Sequence, residues 1–215
     1  MRLVSNEKID PSADAGGDLR GCGTLVDCQL MNIQSQPVMT ADEFLRWNEG
    51  REGKRELVHG RVYEMMTGGS RKHAEIMLNL AIVFRTVLNT DDYVVTAADY
   101  AVRTPVGIRY PDILVLTRDL EGKSLATEHP LLVAEILSPS SLAIDFGEKA
   151  EEYTAIESLR HYLVLSQDEP RVWLWSRNED GAFQRPKMIE GAESDLPLTG
   201  FDLTLKLAEL YRGIA

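Results

Sequence analysis

Apolar residues recur along this chain in two rhythms. One is the near-continuous run. Ile113-Leu114-Val115-Leu116 follows Tyr110-Pro111-Asp112, and Leu131-Leu132-Val133-Ala134-Glu135-Ile136-Leu137 is broken only by its glutamate. Short runs of Val, Ile and Leu predict strands buried on both faces. The other rhythm is helical. Ile76, Leu80, Val83, Phe84, Val87 and Leu88 predict a long amphipathic helix after the Gly68-Gly69-Ser70 loop. An earlier helix starts at Thr40, with Glu43 three residues on and Phe44 and Trp47 on its apolar face, and Gly50 and Gly53 close it.

The remaining elements follow from weaker signals. Glu56 to Met66 reads as a hairpin turning at His59-Gly60, and Tyr93 to Arg103 as one strand of mixed polarity. The turn Pro105-Val106-Gly107 leads into the strand carrying Asp112, and a polar loop from Arg118 to Pro130 precedes the strand carrying Glu135. A helix begins at Ser140 or Ser141 and contains Asp145, Lys149, Tyr153 and Ile156. Two strands, His161 to Ser166 and Arg171 to Trp175, join at Asp168-Glu169-Pro170. Leu205 to Tyr211 is a short closing helix. The pattern predicts an α/β (α+β-like) fold, a central mixed sheet flanked by helices. Residues 1–36 show no lasting periodicity and are expected to be a weakly structured N-terminal extension, with a single domain over 37–215.

Composition narrows the class. With 44% hydrophobic and 27% charged residues the chain is an ordinary globular protein. It lacks an apolar run near 18 residues, so no membrane span is expected, and Met1 to Met31 lacks the apolar core of a secretory signal. Cys22 and Cys28 match no common zinc spacing. The cytoplasm is the expected location. The net charge of −11 argues against a phosphate-backbone binder that is basic overall. A nucleic-acid partner would need locally collected cations or metal ions.

The carboxylates in the apolar runs carry the chemistry. A buried carboxylate costs several kcal/mol unless a cation meets it. Asp112 and Glu135 on adjacent strands would supply hard oxygen ligands for Mg²⁺ or Mn²⁺, which could polarise a phosphoryl oxygen and activate water. Lys149 would stabilise developing charge or hold the attacking water deprotonated, and Asp145, four residues earlier on the same helical face, would orient it. Glu56 is a candidate third carboxylate, and His73 a candidate phosphate contact or acid–base group. Arg51, Lys54, Arg55, Arg61, Arg71 and Lys72 collect around the hairpin and the start of the long helix. Of these, Arg55, Arg71 and Lys72 join His73 as candidate substrate-binding residues.

These stretches resemble the Uma-two family of restriction-endonuclease-like proteins, within the PD-(D/E)XK nuclease superfamily. The resemblance rests on Arg55-Glu56-Leu57-Val58-His59-Gly60, His73, Tyr110-Pro111-Asp112 and Val133-Ala134-Glu135-Ile136-Leu137-Ser138-Pro139-Ser140-Ser141. It continues through Asp145-Phe146-Gly147-Glu148-Lys149, Tyr153 and His161-Tyr162-Leu163-Val164-Leu165. It spans about residues 39 to 212 and implies a restriction-endonuclease-like core, with Asp112 and Glu135 as the metal carboxylates. The superfamily's usual lysine, two residues after the glutamate, is absent, because Leu137 stands there. The resemblance places it instead on the following helix, at Lys149. It implies a Mg²⁺-dependent (or Mn²⁺-dependent) DNA endonuclease, a hydrolase expected as a homodimer.

Plainer readings stand beside these. Glu135 could pair with an arginine such as Arg109, Glu56 with Arg61 across the hairpin, and Lys149 could lie on a solvated face among Glu148, Glu151 and Glu152. His73 could merely cap its helix. Trp173 and Trp175 alternate onto one face and read as core or dimer interface rather than a base-stacking platform. The alternative function is a dimeric interaction module on a catalytically weak or inactive nuclease fold. A hydrolase of small phosphate esters ranks lower, since no nucleotide-binding glycine loop is present.

Overall fold

The structure is a computed structural model that describes residues 2–3, 38–65, 69–118, 124–138 and 142–214. Cys22, Cys28, Met66, Gly68 and the helix start at Ser140 or Ser141 lie outside the described residues. So does all of the N-terminal extension before residue 37 except Arg2–Leu3.

The chain begins with β1 (Arg2–Leu3), α1 (Ala41–Asn48), β2 (Arg55–Val58), β3 (Arg61–Glu64), α2 (Arg71–Val87), β4 (Tyr93–Ala97), β5 (Ala101–Thr104), β6 (Gly107–Arg109) and β7 (Ile113–Thr117). It continues with β8 (Ala126–Thr127), β9 (Pro130–Ile136), α3 (Leu142–Phe146), α4 (Glu148–Thr154), β10 (His161–Leu165), β11 (Arg171–Ser176) and β12 (Lys187–Glu190). A hairpin of β13 (Asp195–Leu198) and β14 (Leu203–Lys206), then α5 (Leu207–Leu210), complete it.

Among the described residues, β13 and β14 pair separately, and strands β1–β12 form two mixed sheets. One runs β12-β11-β10-β9-β7-β4; the other runs β1-β3-β2-β6-β5-β8. In the first, β9 and β10 are parallel and joined through α3 and α4, while the other neighbours are antiparallel.

Two-residue alternation decides what each face of the first sheet carries. Ile113 and Val115 of β7, Leu132, Ala134 and Ile136 of β9, and Leu163 and Leu165 of β10 point to one side. There they pack on Ile76, Leu80 and Phe84 of α2 and on Leu207 and Leu210 of α5. Each of the buried Val, Leu, Ile and Phe side chains in this set contributes about 2 kcal/mol of hydrophobic stabilisation. Leu114, Val133, Tyr162 and Val164 point to the other side, against Ala150 and Tyr153 of α4. Glu135 shares the parity of Val133 and therefore faces α4.

The second sheet also has two sides. Leu57, Ala101 and Ile108 pack on Phe44 and Leu45 of α1. The side chains one position away, Glu56 and Arg109, face α4. The helix α1 begins as expected: Thr40 accepts from the Glu43 N–H, and Glu43 returns a contact to the Thr40 N–H. His59 and Gly60 both take positive φ, 49° and 76°, which suits the two-residue turn of the β2–β3 hairpin.

Three expectations need correction. The single strand over 93–103 is two strands in different sheets, split where Ala98 adopts φ +58° and donates its N–H to the Asp112 carbonyl at 3.1 Å. The turn at 105–106 leads into β6 of the second sheet, and Asp112 stands in the crossing from β6 to β7 rather than inside a strand. The helix through Asp145 and Lys149 is two helices, divided at Gly147 with φ −104° and ψ −100°.

Candidate active site

The residues that sequence singled out converge where the two sheets and α4 meet. The ammonium of Lys149 is 2.9 Å from Glu135 Oε1, 3.2 Å from Asp145 Oδ1 and 3.9 Å from Glu56 Oε1. Its side chain is only 4% exposed. Tyr153, one turn further along α4, donates its hydroxyl to the same Glu135 oxygen at 3.0 Å. Lys149 and Tyr153 are four residues apart and so share a face. Glu148 and Glu151 take the solvent side of the helix, so the solvated-face reading of Lys149 fails.

Asp112 enters from the crossing between the sheets. Its Oδ2 accepts the Ile136 N–H at 2.8 Å, which ties it to the residue after Glu135. His73 Nε2 approaches the same oxygen at 3.2 Å. That histidine is positioned by the start of α2, where Ser70 accepts the His73 N–H at 3.0 Å. Ser70 also donates to Gln167, and Gln167 donates to the Leu137 carbonyl at 2.8 Å, anchoring the helix start to the end of β9. Asp112 and His73 are the more exposed members of the cluster and form its mouth.

Glu56 is held by a partner other than the one considered from sequence. Arg109, fully buried, donates to Glu56 Oε2 at 2.8 Å and grips Glu152 of α4 through Nε at 2.9 Å and through Nη2. Glu56 Oε1 also accepts the Tyr110 N–H at 3.3 Å. Arg61 is exposed and takes no part. Arg109 therefore joins the hairpin, β6 and α4, and does not pair with Glu135. Glu152 was the missed member. Its signal was the three-residue spacing from Lys149, which puts both on the buried face of α4.

The electrostatics favour an added cation. Glu56, Asp112, Glu135, Asp145 and Glu152 surround one ammonium and one guanidinium, an excess of three negative charges if all are ionised. Burial pushes Glu135 up to about 8 against the pull of Lys149, and Asp145, Asp112 and Glu56 add to the rise. Burial alone would lower Lys149, but Glu135, Glu56 and Asp145 outweigh it and hold the amine above its ordinary range. Lys149 is thus an ammonium at neutral pH.

Among the described residues, no group of three or more His, Cys, Asp or Glu side chains forms a ready-made metal cage. Magnesium is commonly held by one or two carboxylates, with water and substrate phosphate completing the shell. Asp112 and Glu135 fit that pattern. The Ile136 N–H and His73 both meet Oδ2 of Asp112, and Lys149 and Tyr153 both meet Oε1 of Glu135, so one oxygen of each carboxylate lies outside these contacts.

The basic candidates divide. Arg71 (71% exposed) and Lys72 sit with His73 in the first turn of α2, which contains no acidic residue. Arg71 also pairs with Glu75 at 2.6 Å. Arg55 is not brought to the carboxylates. It precedes Glu56 on β2 and points to the α1 side, near Trp47 and Asn48. Trp175 is buried with Tyr162 and belongs to the core, while Trp173 is half-buried and lies edge-on to Phe146 against that core.

The two sheets, the flanking helices and the acidic pocket define a restriction-endonuclease-like α/β protein. A crystal structure from Anabaena variabilis, titled as a putative nuclease belonging to DUF820, superposes with a TM-score of 0.67 over 82% of this chain and 99% of that one. At 18% identity that likeness is one of fold. Residues 41–208 match the Uma2 family model, described as "Putative restriction endonuclease", and the chain belongs to that family. An uncharacterised Synechocystis protein, slr1290, is 31% identical over 184 residues, 83% of this chain and 94% of that protein. A second, sll1609, is 25% identical over 143 residues, 64% of this chain and 80% of the relative.

Proposed function

We propose that this Uma2 protein is a Mg²⁺- or Mn²⁺-dependent endonuclease that hydrolyses DNA phosphodiester bonds, with its domain over residues 37–215. The observation that carries the reading is the meeting of Glu135, Asp145 and Glu56 at the Lys149 ammonium, with Asp112 tied alongside through the Ile136 N–H.

Asp112 and Glu135 would hold the metal, which when bound supplies Lewis-acid polarisation and a more acidic water. Because Lys149 keeps its proton, its role is to stabilise negative charge on the phosphorane rather than to act as a base. Tyr153 and Asp145 fix the direction of Glu135 and Lys149. Glu56 and Arg109 hold the second sheet against α4 and so set the distance between the two carboxylate-bearing segments.

The first turn of α2 supports an anionic substrate. Arg71 and Lys72 crowd cationic groups beside His73 at the positive end of a 17-residue helix, where positive charge is unfavourable by about 0.3–1 kcal/mol each. A phosphate at that end would relieve this and would lie beside Asp112. Such a local cationic edge answers the acidic net charge. A homodimer would place two such sites on one duplex, and light scattering of the protein with and without DNA tests it. DNA and free magnesium both point to the cytoplasm as the place of action.

Plasmid cleavage tests the proposal. Wild-type protein is expected to nick supercoiled DNA with Mg²⁺ or Mn²⁺ and not with EDTA. Asp112→Asn, Glu135→Gln and Lys149→Met should each lower the rate at least about 100-fold, the usual effect of removing one charge-stabilising group. Equal cleavage by a double Asp112→Ala, Lys149→Ala variant would overturn it.

A further inference from the structure

On the α1 side of the second sheet lies a cavity of about 270 Å³, separated from the carboxylates by β2 and β6. That volume is at the lower edge of small-molecule sites, roughly 300–1,000 Å³. The nuclease reading leaves it without a role.

Three of its lining residues are cationic. Arg51, Lys54 and Arg55 line it, against Glu49 and Asp99. Two glycines with positive φ, Gly50 at +72° and Gly53 at +92°, fold the connecting loop so that these cations gather. Arg51 is braced: its Nε donates to the Trp47 carbonyl at 2.7 Å, and its guanidinium lies 4.4 Å from the centre of the Trp47 ring. Arg55 is poorly satisfied. Its side chain is 14% exposed, its nearest carboxylate is Glu64 at 3.9 Å, and it reaches Asn48 Oδ1 only at 3.5 Å. Its buried Nε has no hydrogen-bond partner among the described residues. A buried guanidinium of this kind calls for an anion with forked acceptors.

The remaining lining residues differ in chemistry. Tyr110 presents an aromatic ring, and its hydroxyl accepts from Asn48 Nδ2 at 3.4 Å. Leu45 adds apolar surface, and Asp99 adds a carboxylate acceptor. An aromatic ring stacks planar bases of any sequence, and a carboxylate suits hydroxyl or amino donors.

From this arrangement we propose that the cavity binds a nucleoside phosphate. The phosphate meets Arg51, Lys54 and Arg55, the base stacks on Tyr110, and Asp99 receives a sugar hydroxyl or an exocyclic amine. The shared chemistry is a phosphorylated nucleoside, either free or at a strand end. The site stands independently of whether the carboxylate cluster hydrolyses anything.

Calorimetry in EDTA tests it, with adenosine 5′-monophosphate, adenosine, inorganic phosphate and a 5′-phosphorylated tetradeoxyadenylate as probes. The monophosphate is expected to bind at least about tenfold more tightly than adenosine or phosphate. Arg55→Gln should weaken it by about tenfold, the usual loss for a charge-assisted contact. Lys54→Gln, an exposed change that leaves the fold alone, should weaken it by a smaller factor, and Glu135→Gln should leave it unchanged. Tighter binding of the tetranucleotide assigns the site to a strand end, and equal or weaker binding assigns it to free nucleotide. No heat with the monophosphate at millimolar concentration overturns the proposal. So does binding that ignores both Arg55→Gln and Lys54→Gln, or that vanishes in Glu135→Gln, or that inorganic phosphate alone reproduces.

Discussion

The amine of Lys149 and the carboxylate of Glu135, from a helix and a strand 14 positions apart, meet at 2.9 Å in a pocket almost closed to solvent. Breaking a buried pair leaves one charge uncompensated and costs about 3–5 kcal/mol. Lys149→Met is therefore expected to lose about 3 kcal/mol of stability as well as activity. The double variant with Glu135→Gln should cost less than the two single changes combined. Urea unfolding of the four proteins measures the coupling, and strictly additive losses would show that the pair is not acting as one.

Arg109 spans Glu56 on β2 and Glu152 on α4 with no exposed surface. Its fork geometry serves both acids at once, which an ammonium cannot do. Arg109→Lys should recover little of the roughly 3–5 kcal/mol lost in Arg109→Met. Thermal melts decide this, and a lysine variant as stable as the parent would contradict it.

Much of the pocket was legible because charge interrupts apolar runs. Asp112 and Glu135 stand out against Ile113 to Leu116 and Leu131 to Leu137, Lys149 lies on the helix that follows, and helical spacing from Lys149 pointed to Asp145. Arg109 and Glu152 carried no such contrast. They lie 43 positions apart in segments of ordinary polarity, and only the packing of β6 on α4 joins them. The break at Gly147 was hidden because residues on both sides keep helical spacing. Strands β12, β13 and β14 escaped notice because they are short and half exposed, so their alternation is thin. Arg55 was grouped with the candidate substrate-binding cations because it lies on the first hairpin, but neighbours on a strand point to opposite faces, and Arg55 faces away from Glu56.

His161 gives stability a pH dependence. Its Nε2 accepts the Gly200 N–H at 3.1 Å, so the neutral ring carries its proton on Nδ1, 3.0 Å from Ser176 Oγ. Burial, with Arg160 nearby, lowers it to about 4 from an unfolded value near 6.5. The unfolded chain therefore binds the extra proton between those limits. Stability from this group is complete above about pH 6.5 and is lost as pH falls towards 4, by about 3 kcal/mol in all. Urea unfolding across that window should show a shallower slope in His161→Gln than in the parent. An unchanged slope would assign the acid sensitivity elsewhere.

The first turn of α2 makes a separate prediction about DNA. If Arg71 and Lys72 each neutralise one phosphate, each substitution by Gln should lower the salt dependence of binding, log K against log salt, by about one unit. Affinity should fall by similar factors on unrelated sequences. Fluorescence anisotropy of a labelled duplex across a salt series reads both, and a slope unmoved in the double variant removes this turn from the interface.

Leu137 stands two residues after Glu135, and it contributes to the apolar packing beneath Tyr162 and Val164. The ammonium that meets Glu135 comes from α4, a second segment, and not from the strand itself. A motif search that requires Glu-x-Lys on one strand will pass over proteins built this way. A query for two acids and an ammonium meeting in three dimensions, indifferent to chain order, will retrieve them.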